Sequence, residues 1–181
     1  MIDSLCDQAR EGDLAVAWLY CDFKTQEEQT TINMMGAILK RLVGSAIPEE
    51  IRKAFKEGRR PLLVDLIGLL KTAIASFRQV FICIDALDEY RPEDLSDLLE
   101  SLKEIIQRPH RTRIFLTGRP HVGVNIQKCF GTVVVIPITP KMEDIRDYLK
   151  MRLDKDSKGL DMGKDFPAKI VRTVLEKMSD M

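Results

Sequence analysis

The stretch Val80-Phe81-Ile82-Cys83-Ile84-Asp85-Ala86-Leu87-Asp88-Glu89 decides the fold. A run of apolar residues this short and uninterrupted suits a strand buried on both faces, as in the centre of a parallel sheet. Acids follow where the strand ends, and that is the edge at which open parallel sheets place their ligands. A carboxylate at the strand tip, Asp85, can hold Mg²⁺ through water, and a following acid can polarise an attacking water. Ala86 is small enough to let the backbone turn there. The plainer alternative is that Asp88, Glu89, Glu93 and Asp94 sit at a helix start, where they satisfy free N–H groups and the dipole. Asp94 fits that role.

About 30 residues on, Arg113-Ile114-Phe115-Leu116-Thr117-Gly118-Arg119-Pro120 repeats the pattern: a short apolar strand ending in polar residues and a proline. The planar guanidinium of Arg119 suits an oxyanion, although an arginine at a strand end is also an ordinary surface feature.

Short β-rich runs alternate with helical patterns along the rest of the chain, the mark of βα units around a parallel sheet. Leu14 to Phe23 predicts a first buried strand, preceded by the tail of a helix over 1–11 that ends at Gly12. Ile32, Met35, Ile38, Leu39, Leu42 and Val43 recur at helical spacing. Pro48 opens a short helix closing near Gly58, and Pro61 sits at the start of another, where its missing N–H costs little. A helix through Leu95–Ile106 follows the acidic run. Thr132 to Ile138 predicts a fourth strand, and two helices finish the chain around a polar loop at 154–164.

Composition narrows the function classes. The 181 residues are 45% hydrophobic, enough for one sizeable core, and 28 basic residues balance 28 acidic ones. Zero net charge gives no electrostatic basis for a nucleic acid or an anionic membrane as main partner. No run approaches the ~18 apolar residues of a membrane span. Four scattered cysteines without CxxC spacing suit a reducing, cytoplasmic setting, and two histidines leave no multi-histidine metal site.

The run from Asp85 to Glu89 resembles the extended Walker B motif of the NACHT group of STAND NTPases, with the nearest likeness in nephrocystin-like and fungal incompatibility-type members. By position, the resemblance makes Asp85 the Mg²⁺-associated acid and Asp88 and Glu89 the water-orienting pair. Thr117-Gly118-Arg119-Pro120 resembles the family's sensor 1 "TSRP", with Gly118 in place of the serine. That makes Thr117 and Arg119 the phosphate-facing residues. Trp18 to Phe23 with Gln29-Thr30-Thr31 resembles the family's "FYFDF…Q" strand and helix start, and Thr139 to Leu153 resembles its "DIxxYI" helix.

The resemblance implies an α/β fold with a three-layer P-loop NTPase-like parallel sheet. The core would cover 1–153 and a helical extension would begin over 154–181. It also implies Mg²⁺ with ATP or GTP, and protein partners or self-association in signalling. A phosphate-binding loop needs GxxxxGK[ST]. The chain's one Gly-Lys pair, Gly163-Lys164, is followed by Asp165 and lies after every predicted strand.

The sequence therefore reads as truncated N-terminally. The strand of the missing loop is expected in mid-sheet, between the strands of Asp85 and Thr117, so that its loss opens two facing edges. The expected function is a signalling-NTPase fragment that does not hold nucleotide tightly by itself. The alternative is a working ATP/GTP switch once the full-length protein supplies the loop. Three other chemistries find no support. A haloacid-dehalogenase-like phosphatase needs two aspartates separated by one residue, whereas two residues separate Asp85 and Asp88. A helicase lacks its basic and aromatic pattern, and a serine hydrolase lacks GxSxG.

Overall fold

In the computed structural model the described residues are 13–44, 49–58, 61–106, 111–139, 141–156 and 166–179. They form an α/β arrangement with a three-stranded parallel sheet flanked by helices. The strands are β1 (Leu14–Tyr20), β2 (Gln79–Asp85) and β3 (Thr112–Leu116). The helices are α1 (Thr31–Val43), α2 (Glu49–Lys56), α3 (Leu63–Ala75), α4 (Leu95–Ile105), α5 (Gly123–Phe130), α6 (Met142–Asp156) and α7 (Phe166–Ser179). None of the described helices is long and apolar enough to cross a membrane.

The sheet order is β1-β2-β3, with Leu19 opposite Ile84 and Ile84 opposite Leu116. This corrects the lateral order expected from the sequence. The strands that end in Asp85 and lead into Thr117 pair directly from Val80↔Thr112 to Ile84↔Leu116, so no strand lies between them. Among the described residues, the outer sides of β1 and β3 carry no further strand.

Alternation along the strands divides the sheet into two faces. Ala15, Ala17, Leu19, Val80, Ile82 and Ile84 share one core with Met35 and Ile38 of α1, Leu70 of α3 and Leu98 and Leu102 of α4. On the other face the rings of Phe81 and Phe115 stack with centroids 6.1 Å apart. Arg41 lies over the Trp18 ring at 4.1 Å. Five consecutive residues of β2, Val80 to Ile84, are buried, as a strand covered on both sides requires.

Element boundaries follow local chemistry. β1 stops at Tyr20, short of the expected Phe23, because Asp22 turns the chain: its Oδ1 accepts the Lys24 N–H at 2.9 Å and opens a 3-10 turn over Phe23–Glu28. Thr30 caps α1 by accepting the Asn33 N–H. Pro61 precedes the α3 cap residue, Leu62, rather than occupying the first turn. Asp94 takes the α4 cap position but makes no side-chain cap bond, and its carboxylate pairs with Arg91 at 3.5 Å instead.

The fourth strand expected over Thr132–Ile138 does not form. Those residues join no ladder among the described residues, although their β propensity is high. The reason is a missing neighbour, since a strand is defined by pairing and not by composition. The described residues divide into two compact units, one ending at Val133 and the other starting at Val134; α6 and α7 pack together in the second. The helix tail expected over 1–11 lies outside the described residues, as does most of the polar loop at 154–164.

Candidate functional site

The ends of β2 and β3 place all five singled-out residues on one rim of the first unit. After Asp85 the chain passes through Ala86 in the left-handed region (φ 55, ψ 45) and enters a tight turn over Leu87–Glu89. Leu87 is fully buried and anchors that turn in the core. The small residue expected at 86 thus serves a backbone reversal that larger side chains resist.

Thr117 fastens the two strand ends to each other. Its N–H donates to the Ile84 carbonyl at 3.0 Å, and its carbonyl accepts the Leu87 N–H at 2.8 Å. Its Oγ1 accepts the Ala86 N–H at 3.1 Å and donates to Asp85 Oδ1. The hydroxyl is thereby committed to holding the Asp85 carboxylate, while Asp85 Oδ2 makes no hydrogen bond to the described residues.

Asp88 and Glu89 are engaged as well. Asp88 accepts the Arg119 N–H through Oδ1 at 3.2 Å and pairs with Arg119 Nε through Oδ2 at 3.1 Å. Gly118 makes this approach possible, because a Cβ there would lie 2.9 Å from Val122 Cγ2 and 3.3 Å from the Asp88 nitrogen. The glycine at 118 is therefore a packing requirement of this rim.

Glu89 is held by the loop after β1, whose Phe23 and Gln29 the sequence reading named only as a strand end and for their resemblance, and whose Gln26 it did not name. Its Oε2 accepts the Phe23 N–H at 3.1 Å, and its carbonyl accepts from Gln26 Nε2 at 2.7 Å. The loop is braced internally by Gln29, whose Nε2 donates to the Asp22 carbonyl and Thr25 Oγ1 at 2.9 and 2.7 Å. The available signal was the cluster of Asp22, Gln26 and Gln29 directly after an apolar strand, a turn composition aimed at the same rim.

Below the acids lies Cys21, whose N–H donates to the Asp85 carbonyl at 3.0 Å. Burial, and then the fields of Glu89, Asp85 and Asp88, push its thiol up to about 12. Tyr90 is buried beside it with its hydroxyl 3.2 Å from Thr31 Oγ1, and burial raises its pKa too.

No group of three or more metal-ligating side chains occurs among the described residues. Mg²⁺ does not need such a cage, since it keeps most of its waters and takes one or two carboxylates plus phosphates. The free oxygen of Asp85 fits that mode. The phosphate side does not fit, because the sequence carries no GxxxxGK[ST] loop to cradle it.

Comparisons with curated proteins and with solved structures give no match. The family model for nephrocystin 3, N-terminal, matches residues 1–119, a span that holds all three strands, the acidic turn and Arg119. With that match over 119 of its 181 residues, the chain belongs to the nephrocystin 3 N-terminal family.

Proposed function

We propose that this chain is a fragment of a NACHT-type signalling NTPase module of the STAND group, akin to its fungal incompatibility-type members. It keeps the acidic and sensor strands but does not bind nucleotide tightly by itself. The observation that carries this reading is the convergence of Asp85, Asp88, Glu89 and Arg119 at the C-terminal ends of two directly paired parallel strands. In this reading Asp85 is the acid for Mg²⁺, held in place by Thr117. Asp88 and Glu89 are the pair that orients water, and Arg119 faces the terminal phosphate. Bound Mg²⁺ and nucleotide would supply the electrophile and its charge neutralisation. What the chain's own residues do is fix the acids and hold Arg119 on Asp88.

Titration of the 181-residue chain with labelled ATP and GTP, with and without Mg²⁺, tests the reading. The expected Kd is weaker than about 1 mM. Micromolar binding would overturn it.

A second reading, a working nucleotide switch in the full-length protein, is favoured by the open outer edge of β3, where a further strand carrying a phosphate loop has a place to pair. Micromolar Mg²⁺-dependent binding by the full-length protein, weakened by Asp85→Asn, is its expected signature.

A further inference from the structure

Two features lack partners among the described residues and match each other. The first is the outer edge of β3. β1 is also an edge strand, yet Ala15, Val16 and Ala17 are buried, whereas Ile114, Phe115 and Leu116 of β3 stay half exposed for want of a neighbour. The second is the run Val133-Val134-Val135-Ile136-Pro137-Ile138. It carries no charge, is rich in β-branched residues, and exposes Val134, Val135, Ile136 and Ile138 by 90%, 66%, 76% and 86%. An unbroken apolar run this exposed marks an interaction surface. Five residues from Val134 to Ile138 also equal β3 in length, so the ladders can match end to end.

We propose that the chain self-associates by strand addition, the 134–138 run of one copy pairing along the free β3 edge of a second copy and the second returning the same contact. Both halves of the interface are present in one sequence, so a two-fold pair satisfies every copy without a foreign partner. The charge-free run on one side and the apolar Ile114–Leu116 edge on the other are chemically alike, and no like charges oppose each other.

Pro137 fixes the parity of the pairing and closes the assembly. A proline is tolerated in an edge strand only where its missing N–H faces away from the ladder. With Pro137 turned outward, Val135 is turned outward too, while Val134, Ile136 and Ile138 present their N–H and C=O groups to β3. This alternation holds for either strand direction. The outer side of the added strand then lacks a donor at Pro137, which discourages a further strand and favours a dimer over a fibre.

Sedimentation equilibrium of the 181-residue chain over a concentration series, with Val135→Pro and Ile136→Pro alongside, tests this. The expected wild-type result is a monomer–dimer equilibrium with a Kd of about 10 μM. Val135→Pro removes an outward N–H and should change that Kd less than about 3-fold. Ile136→Pro removes an inward donor and should weaken it by at least about 10-fold. Thermal melting of each variant shows whether the fold survives, which an exposed run permits. A wild-type chain that stays monomeric at about 100 μM overturns the proposal. So does a dimer that responds equally to both prolines, or a monomer whose amides at 134, 136 and 138 are already protected from exchange by pairing within one copy.

Discussion

Asp88 holds Arg119 twice, through the backbone N–H at 3.2 Å and through Nε at 3.1 Å, and only one of the two partners is shielded from water. The Arg119 side chain is 77% exposed and that of Asp88 is 11% exposed. Exposed ion pairs contribute about 0–1 kcal/mol, and salt screens them. Arg119→Ala keeps its backbone N–H, so it should lower stability by less than about 1 kcal/mol. Asp88→Ala loses both contacts, and because the Arg119 N–H is exposed and can turn to water the expected cost is that of an ordinary hydrogen bond added to the ion pair, about 1–2 kcal/mol. Urea denaturation of the two variants checks the order. Equal losses would mean that the ion pair, not the backbone contact, ties the two loops together.

Gly118 should tolerate no side chain. Its Cβ would stand 2.9 Å from Val122 Cγ2, and Val122 is buried. It would also stand 3.3 Å from the Asp88 nitrogen, and backbone cannot swing aside as a flexible side-chain end can. Gly118→Ala should therefore destabilise by about 1–3 kcal/mol, the usual cost of overpacking. Gly118→Ser should do no better. A neutral Gly118→Ser in a thermal melt would show that the rim can open by several tenths of an ångström without loss.

The backbone reversal at Ala86 gives the opposite sign. A non-glycine residue in the left-handed region costs roughly 1–2 kcal/mol, and glycine removes that strain while adding freedom to the unfolded chain. With φ at 55 in the native turn, Ala86→Gly should be neutral to stabilising by about 1 kcal/mol. Ala86→Val should lose about 2 kcal/mol, because β-branching sharpens the clash. Denaturation midpoints measure both. A destabilised Ala86→Gly would mean that the alanine methyl contributes packing that outweighs the strain.

How much of this was legible in the sequence depends on range. Val80–Ile84 followed by Asp85 announces a central strand and its tip, because burial on both faces erases the alternation seen in half-exposed strands. The convergence of Asp88 and Arg119 follows once each is placed at the C-terminal end of a parallel strand. Lateral order does not follow: a run of apolar residues says that a strand is buried, not which strand it touches. The β2–β3 pairing was therefore misplaced by one strand. Thr132–Ile138 failed for the same reason, since its propensity is met only when a neighbour supplies a ladder. The brace from Gln26 to the Glu89 carbonyl spans 63 positions, beyond any local pattern.

Thr117 should matter through its hydroxyl. Oγ1 donates to Asp85 and accepts from the Ala86 N–H, so Thr117→Val keeps the shape and strands both partners. The expected cost is about 2 kcal/mol, with Thr117→Ser recovering most of it. If the hydroxyl mattered only for facing a ligand, Thr117→Val would melt with the wild type in the absence of any ligand.

Cys21 links the acidic rim to alkaline stability. Burial first, and then the negative fields of Glu89, Asp85 and Asp88, raise its thiol from 9.0 to about 12. The folded state therefore holds this proton more tightly than the unfolded chain does. The resulting stabilisation is complete below pH 9 and drains away as pH rises from 9 towards 12, with a slope approaching 1.4 kcal/mol per pH unit for one proton. Tyr90, raised chiefly by its burial, adds loss of the same sign above its ordinary range. Urea midpoints at intervals from pH 8 to pH 11 should fall for the wild type and fall less for Cys21→Ala. Glu89→Gln removes the largest of the three fields, so the Cys21-dependent loss should still begin near pH 9 but level off at a lower pH and be smaller in total. Parallel declines in wild type and Cys21→Ala would show that the thiol is not the group whose proton the fold retains.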